Sequence, residues 1–425
     1  MDEHKAGTTL SRRDLLARGA LLGVGASLAG PGLVEQAVAA VSAGTKLQVW
    51  SWQSTGGYPK VFDTVGKQFD KVGAPNKAQY KYFPYADYFT KFKTAAAGGR
   101  VPDMLEMEWS GNYHAAVDAG TLRDLTQDIQ TGFPKFYATA MAQMRYKNKI
   151  FGIPMDLNTL TVAYNKDIFT KLGLTIPKTL AELLAMVPKI KQAGLQPMSL
   201  NAKDGWPNGD LFFSQLAYTD PNATLLRSAE AGQAPWDSPA FVTAATNVQK
   251  MAAAGLFSSN AASLDFSGAY TEFATGKSAM LYPVGNFGTP VIDSIAKGSI
   301  NYGLFPLPPE SASVTPRATG GAAIIWSIPT KTKNAEAALA LARVFSGPFG
   351  TKTLIANNYI PAYKTSVASN DSQIYKKMVT FQANAGTRSM FVPKINTALL
   401  SEMTAVISGS ASGQDLVKAL AAAAK

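Results

Sequence analysis

The sequence predicts an α/β protein in which helices cover a parallel sheet. The chain has 425 residues, of which 46% are hydrophobic and 16% are charged. Such a chain can bury a large core and falls outside the disordered class, which combines low hydrophobicity with high charge. At about 150 residues per domain, the length favours two or three domains. The second observation is an alternation of strand and helix patterns.

The alternation begins just after residue 45. We predict strands over 46–52, 78–83 and 104–108, with one helix ending near Gly73 and another over 86–97. The stripe that predicts the first helix consists of apolar residues at helical spacing: Val61, Phe62, Val65, Phe69 and Val72. A β-α-β-α-β order favours a parallel sheet, and ligands of open parallel sheets bind beyond the carboxyl ends of the strands.

Charge and composition exclude several classes of function. The formal net charge is +11, but the chain has no run of five basic residues, so we expect no nucleic-acid partner. Cysteine is absent, which excludes disulfides, thiol nucleophiles and cysteine-ligated metals. Of the two histidines only His114 follows the first 40 residues, and no G-x-S-x-G motif is present. We therefore expect no cofactor, no metal and no serine-hydrolase site.

The first 39 residues have the pattern of a twin-arginine signal peptide. Arg12-Arg13 precede a weakly apolar, glycine-rich stretch that ends near the small residues Ala37-Val38-Ala39. Cleavage after Ala39 removes four basic and four acidic residues, so the charge stays at +11. We expect a soluble protein outside the cytoplasmic membrane, periplasmic or extracytoplasmic. It would carry no lipid anchor, because no cysteine can hold the lipid.

Six short blocks follow one another in a fixed order: Val101-Pro102-Asp103-Met104, residues 119–126, residues 152–156 leading to 164–169, residues 172–183, residues 276–280, and Gly320-Gly321 before a strand over 322–328. Together they resemble extracellular solute-binding proteins, family 1, the substrate-binding components of ABC sugar importers, which include maltodextrin-binding proteins. Gly276-Lys277-Ser278 ends like a phosphate-binding loop, but Thr271 stands where that motif needs glycine, so we interpret it as a turn.

The resemblance implies a type II periplasmic-binding-protein fold, with two doubly wound α/β lobes joined by a hinge of three crossing strands. Carried over, residues 41–155 and 322–365 form the N-terminal lobe, and residues 156–321 and 366–425 form the C-terminal lobe. It also implies a monomer that holds a carbohydrate ligand between its lobes. The permease subunits of the ABC transporter would be separate chains in the membrane.

A sugar site needs aromatic faces for the C–H side of the ring and planar polar groups for the hydroxyls. We predict ligand contacts from the first lobe, the crossing strand and the second lobe: Trp52, Gln53, Ser54, Trp109 and Asn112; Asp156 and Asn158; Asp204, Trp206, Asn286, Phe287, Gly320 and Gly321. Trp50 and Trp326 lie within apolar strand patterns, and we expect them in the core.

The ligand itself stays open. We favour a neutral mono- or oligosaccharide over an anionic sugar derivative such as a uronate or glycerol phosphate; a polyamine would need more cleft carboxylates. The rival class is an exported glycoside hydrolase, which needs two carboxyl groups about 5 to 10 Å apart. Asp103, Glu106 and Glu108 could supply them, but we expect Asp103 in a loop and the glutamates on a solvated strand edge. We therefore predict a binding protein and no enzyme.

Overall fold

The computed structural model describes residues 44–54, 56–72, 77–363, 368, 371–388 and 393–425. The predicted signal peptide lies outside the described residues. The strands are β1 (Lys46–Ser51), β2 (Lys77–Tyr82), β3 (Met104–Met107), β4 (Arg145–Tyr146), β5 (Lys149–Ile150), β6 (Ile153–Pro154), β7 (Asp156–Asn165), β8 (Gln196–Leu200), β9 (Ser278–Val284), β10 (Tyr302–Phe305), β11 (Thr319–Ala322), β12 (Ile325–Ser327), β13 (Ile360–Pro361) and β14 (Gly386–Thr387).

The helices of the first half are α1 (Tyr58–Val72), α2 (Tyr85–Ala97), α3 (Gly111–Asp118), α4 (Thr126–Gly132), α5 (Ala138–Met144), α6 (Lys166–Lys171), α7 (Leu180–Ala185), α8 (Val187–Gln192) and α9 (Trp206–Leu216). Those of the second half are α10 (Thr224–Glu230), α11 (Pro239–Ala253), α12 (Phe266–Ala274), α13 (Thr289–Ala296), α14 (Ala335–Ser346), α15 (Pro348–Ala356), α16 (Gln373–Gln382), α17 (Pro393–Ser408) and α18 (Gly413–Ala423). Within the described residues, every helix is too short or too polar to cross a membrane.

The first sheet has the strand order β2-β1-β3-β12-β6. As the alternation predicts, β1 pairs in parallel with β2 and with β3, whereas β12 is antiparallel to β3 and β6. The chain steps from β1 to β2 in one direction and returns to β3 in the other. Right-handed crossovers therefore place α1 and α2 on opposite faces of the sheet. The carboxyl ends of β1 and β3 flank the point where the direction reverses, which is where open sheets bind ligands.

Aromatic packing holds α1 and the two-helix unit α14–α15 against this sheet. The predicted apolar stripe of α1 is buried at each described side chain, and Phe62 within it contacts Trp326 and Phe345 at ring distances of 5.2 and 6.0 Å. Trp326 is fully buried and Trp50 is 8% exposed, so both belong to the core, as predicted.

The second sheet has the order β14-β11-β7-β9-β8. Its long central strand, β7, also pairs antiparallel with β10 and β13. Helices α9, α11, α17 and α18 pack against one another beside it. The chain enters β9 through a turn at Gly276, whose φ of +74° suits glycine, so the interpretation of Gly276-Lys277-Ser278 as a turn before a strand is confirmed.

The chain passes between the two sheets at β6–β7, at β11–β12 and at β13, which makes the three crossings that the resemblance implies. The single strand predicted over 322–328 is wrong, because the chain changes sheets there: β11 ends at Ala322 and β12 begins at Ile325. Backbone hydrogen bonds tie the crossings together, with Ala323 N donating to Asp156 O at 2.9 Å and Met155 N donating to Ile324 O at 2.9 Å. The protein is therefore a two-lobed α/β molecule with a multi-strand hinge.

Candidate functional site

Glu106 fixes the loop that follows β1. Its side chain is fully buried near the end of β3, and its carboxylate accepts hydrogen bonds from Ser51 Oγ at 2.5 Å, Trp52 N at 3.3 Å and Gln53 Nε2 at 3.0 Å. Burial raises the pKa of Glu106 to about 8, against the lowering effect of these bonds. The predicted solvated edge is therefore wrong for Glu106, because the loop after β1 covers it. Ser54, one residue beyond this loop, is exposed.

An aromatic surface forms where β1 ends beside α2. The ring of Trp52 is half-buried, and the rings of Tyr85, Tyr88 and Phe89 surround it at centroid distances of 5.5, 4.9 and 5.6 Å. Tyr85 is 49% exposed, and its hydroxyl donates to Glu108 Oε1 at 2.7 Å. Trp52 and Tyr85 thus place an indole and a phenol at the carboxyl end of the first sheet, and Glu108 fixes the phenol through its hydrogen bond.

Trp109 lies in a second aromatic group on the same lobe. It is half-buried, and its ring lies 5.5 Å from Tyr113 and 4.6 Å from His114. The imidazole of His114 stacks on Tyr146 at 4.3 Å, and burial lowers its pKa. His114 belongs to the first turns of α3, whose N-cap is Ser110. These contacts make Trp109 a packing partner of α3.

Asn112 lines a cavity of about 440 Å³ between α2 and α3. Apolar side chains such as Phe92 and Ala116 form much of its wall, and Lys331 lies at the cavity as well. All the residues that line this cavity come from the first lobe and the crossing that returns to it. The structure therefore places Asn112 beside a gap within one lobe.

Asp156 lies at the hinge and uses its carboxylate to join three parts of the chain. It is fully buried and accepts hydrogen bonds from Tyr58 Oη at 2.8 Å, Ile324 N at 3.2 Å and Asn286 Nδ2 at 3.5 Å. Burial raises the pKa of Asp156 to about 7, and the bonds from Tyr58 and Ile324 oppose that rise. Asp156 therefore links α1, the β11–β12 crossing and the end of β9.

Two asparagines, Asn158 and Asn286, join Asp156 in a polar group at the hinge, the hinge floor. Asn286 is fully buried; its Nδ2 also donates to Leu157 O, and its Oδ1 accepts from Thr159 N at 3.3 Å. Asn158 is half-buried, and its Oδ1 has no hydrogen-bond partner among the described residues. A Cβ on Gly285 would come within 2.0 Å of that oxygen, so a glycine at 285 leaves room for it.

Two glutamines fill the space that Gly320 and Gly321 leave. A Cβ on Gly321 would lie 2.3 Å from Gln143 Nε2, and a Cβ on Gly320 would lie 2.8 Å from Gln382 Oε1. Gln143 bridges the lobes, since its Oε1 accepts from Ala322 N at 2.6 Å while its Nε2 donates to the carbonyl of Arg388 at 2.6 Å. In this structure the two glycines thus allow close approach of protein amides.

The second lobe contributes its own aromatic surface. Trp206 opens α9 and Phe287 follows β9; both are half-buried, and their rings lie 5.9 Å apart. The guanidinium of Arg388 lies 6.0 Å from the centroid of Trp206. Asp204 is exposed just before α9, where it accepts a hydrogen bond from Asn201 Nδ2 at 2.8 Å.

Arg388 is the charged group of this surface. Its Nε and Nη2 donate to the two carboxylate oxygens of Asp210 at 2.7 and 3.2 Å, and the side chains of Arg388 and Asp210 are 22% and 2% exposed. Burial raises the pKa of Asp210, and Arg388 opposes that rise. Arg388 also lowers the pKa of Glu108 through space, although burial of Glu108 has the larger, raising effect. Each lobe therefore places a charged group beside its aromatic surface, Glu108 beside Tyr85 and Arg388 beside Trp206.

The family model of bacterial extracellular solute-binding proteins matches residues 51–349. The chain belongs to this family. The family functions outside the cytoplasm, which gives this solute-binding protein the extracytoplasmic location that its N-terminal pattern predicts.

The curated relatives are distant in sequence, and those described here are solute-binding proteins. The solute-binding protein is 26% identical to a multiple sugar-binding protein of Streptococcus mutans over 62% of either chain. It is also 26% identical to a galactooligosaccharide-binding protein of Bacillus subtilis over 95% of this chain and 94% of the other. Three curated relatives, among them the Streptococcus protein, are matched over only 40%, 62% and 42% of their own length. A solved chitin oligosaccharide binding protein has a TM-score of 0.77 at 20% identity, covering 89% of this chain and 98% of that one, which shows the same two-lobed fold.

Several residues at the aromatic surfaces and the hinge were not among the predicted ligand contacts: Tyr85, Glu108, Asp210, Arg388, Gln143 and Gln382. One sequence signal existed for Asp210, which lies four residues after Trp206 and so shares a face of α9 with it. Arg388 had no such signal, because its partner Asp210 is 178 residues away in the sequence. Of the predicted residues, Trp52, Trp206 and Phe287 lie on the two aromatic surfaces, while Asp156, Asn158 and Asn286 lie on the hinge floor.

Proposed function

We propose that this solute-binding protein binds a mono- or oligosaccharide in the cleft between its lobes and delivers it to the permease of an ABC importer. The observation that carries the proposal is a pair of aromatic surfaces, Trp52 with Tyr85 and Trp206 with Phe287, supplied by different lobes. Aromatic rings cover the C–H face of a pyranose, and the nearby carboxylate and guanidinium suit its hydroxyls. The sugar-binding relatives support the same ligand class.

Binding would stabilise the closed molecule through differential contact. A ligand that touches both surfaces binds more tightly when the lobes are closed, so it shifts the population toward that state. The permease, a separate membrane protein, would recognise the closed state. We place the lobes at residues 41–155 with 322–365 and 156–321 with 366–425, and we propose that the protein acts as a monomer without nucleic acid.

The ligand is tested by a thermal-shift screen followed by calorimetry. The probes are maltotriose, raffinose, galactotriose, chitotriose, trigalacturonate, glycerol 3-phosphate and spermidine. A ligand that binds the folded state raises the melting temperature by mass action. We expect a neutral sugar to bind saturably and to be recovered unaltered; release of new reducing ends would instead support a glycoside hydrolase. Absence of binding by every sugar would overturn the proposal.

We propose export by the twin-arginine route, without a lipid anchor. The pattern that supports it is Arg12-Arg13 before a weakly apolar stretch and Ala37-Val38-Ala39. The double substitution Arg12→Lys, Arg13→Lys should leave full-length precursor inside the cell of a host with the twin-arginine system. The matched control is Lys5→Arg, which alters a basic residue outside the motif. Export of the double variant at the wild-type level would contradict this route.

A further inference from the structure

Three charged side chains lie beside the two aromatic surfaces: Glu108 beside Tyr85, and Arg388 with Asp210 beside Trp206. Glu108 follows β3 of the first sheet and is bound by the hydroxyl of Tyr85. Arg388 follows β14 of the second sheet, lies beside the ring of Trp206 and is paired with the buried Asp210. Gln143 of the first lobe donates from Nε2 to the carbonyl of Arg388 at 2.6 Å, so Arg388 lies where the two lobes meet. Glu108 and Arg388 also influence each other's pKa through space.

The ion pair with Asp210 orients the guanidinium and leaves part of it for other contacts. Arginine has five N–H donors in a rigid plane, and two of them point at the carboxylate of Asp210. Three donors remain outside this ion pair. On the opposite lobe, Oε1 of Glu108 accepts a hydrogen bond from the hydroxyl of Tyr85, and a carboxylate has further acceptor positions. Arg388 on the second lobe thus offers hydrogen-bond donors, and Glu108 on the first lobe offers an acceptor.

We infer that Glu108 and Arg388 determine ligand specificity by binding hydroxyl groups of one sugar unit from opposite lobes and by excluding units that carry a carboxylate or a phosphate. A hydroxyl can donate to Glu108 and accept from Arg388, so a neutral polyol satisfies both side chains. An anionic group could bind Arg388 only beside the carboxyl groups of Glu108 and Asp210, and Asp210 already pairs with the guanidinium. This inference rests on the proposed sugar-binding function.

The test uses a matched pair of ligands with the purified mature protein. The first is the neutral trisaccharide that stabilises the wild type most in the screen, and the second is the same trisaccharide with its primary hydroxyls oxidised to carboxylates. Dissociation constants are measured for the wild type, Glu108→Gln and Glu336→Gln. The last is a control in the same lobe with the same change of charge at a side chain that is 70% exposed.

We expect wild type and Glu336→Gln to prefer the neutral ligand. In Glu108→Gln the neutral ligand should bind about 10-fold more weakly. The ligand hydroxyl then donates to an amide instead of a carboxylate, and the difference between these two hydrogen bonds corresponds to about a factor of ten in the dissociation constant. The oxidised ligand should bind more tightly to the same variant, since a like charge is removed. A merely structural role of Glu108 would weaken both ligands together and would not produce opposite changes.

Arg388→Lys provides the second variant, with a denaturant melt to check its fold. Lysine keeps the charge but loses the two-point bond to Asp210, so binding of the neutral ligand should weaken. If this variant unfolds, Glu108→Gln alone decides, because Glu108 is half-buried at the cleft surface. Equal effects on both ligands, or a wild type that prefers the oxidised ligand, would overturn this inference while sugar binding stands. Failure of every sugar to bind would overturn both.

Discussion

Tryptophan side chains in the described structure occupy two environments. Trp50, Trp236 and Trp326 are buried, whereas Trp52, Trp109 and Trp206 are half-buried. A buried indole contributes to folding through the apolar area that it removes from water. An indole that stays partly exposed keeps a face that a ligand can cover. The two groups should therefore respond differently to truncation.

Trp206→Ala should weaken ligand binding and leave folding nearly intact. Covering the indole with a sugar contributes on the order of 1 to 3 kcal/mol, so the dissociation constant should rise roughly 5- to 150-fold. The measurement is calorimetric titration with the neutral trisaccharide, together with a urea melt. The control is Trp326→Ala, which should cost about 3 to 5 kcal/mol of unfolding free energy. Wild-type affinity in Trp206→Ala would show that Trp206 does not contact the ligand.

The two buried carboxyl groups, Glu106 and Asp156, predict how stability changes with pH. Burial raises the pKa of Glu106 to about 8 and that of Asp156 to about 7, from ordinary values of 4.5 and 3.8. Between pH 4 and 8 the folded protein therefore holds protons that the unfolded chain releases. These groups contribute stability that is fully present below pH 4 and is lost as the pH rises through 7 to 8.

Glu106→Gln should flatten this pH dependence. The unfolding free energy of the wild type should fall from pH 5 to pH 9, with about 1.4 kcal/mol for each unit by which a pKa is raised. The variant should lose less, because glutamine does not titrate and Gln53 can turn its amide to accept from the new Nε2. Urea melts at pH 5, 7 and 9 measure the slope. Glu336→Gln, at an exposed position, should keep the wild-type slope; an unchanged slope in Glu106→Gln would contradict the assignment.

At the level of elements, regular patterns were predictable and the crossings were not. The helices up to residue 97 follow from helical spacing and β2 from period-two alternation, because each turns one face toward the sheet or core, whereas β3 is buried throughout. The segment 322–328 looks like one apolar strand, yet the hinge divides it between two sheets. Local sequence does not record which sheet a strand joins, since that depends on partners such as β3 and β7 far along the chain. The same reason hides Arg388 from sequence analysis.

Gly321→Ala should disturb the hinge, because the new methyl group would lie 2.3 Å from the amide of Gln143. Gln143 would have to leave its bonds to Ala322 and Arg388. Overpacking of this kind costs about 1 to 3 kcal/mol, and displacement of Arg388 should also weaken ligand binding. Urea melts and calorimetry measure the two effects. Gly98→Ala, where the nearest atom is at an ordinary 3.5 Å and φ is −78°, should change neither. Wild-type stability in Gly321→Ala would mean that Gln143 does not bridge the lobes.

On the scale of the whole molecule, the net charge of +11 does not describe the cleft. Two acidic side chains, Glu108 and Asp210, and one guanidinium, that of Arg388, lie beside the aromatic surfaces, so the groups there differ in composition from the basic chain as a whole. Overall charge governs solubility and long-range attraction, whereas ligand choice depends on the few groups that the lobes bring together. The positions of those groups depend in turn on how far the lobes close.

The structure has the lobes in contact on one side of the cleft, where α3 meets α17. If ligand binding favours a closed arrangement, the distance between those helices should shorten and its distribution should narrow on binding. Because the chain has no cysteine, the double variant Ala115→Cys, Ser401→Cys carries its only thiols at two exposed positions, one on each of these helices. Spin labels on them report the interlobe distance by pulsed electron paramagnetic resonance.

The control for that measurement carries both labels on the first lobe, at Lys67 and Ala115, which are exposed on α1 and α3. A rigid lobe keeps this distance constant, so only the interlobe pair should change when the neutral trisaccharide saturates the site. Glu108→Gln should need more ligand to produce the same change, because closure and affinity depend on the same cross-lobe contacts. An interlobe distance that is the same with and without bound sugar would show that binding does not select the closed state, and the permease would then have to recognise the ligand-bound protein by another feature.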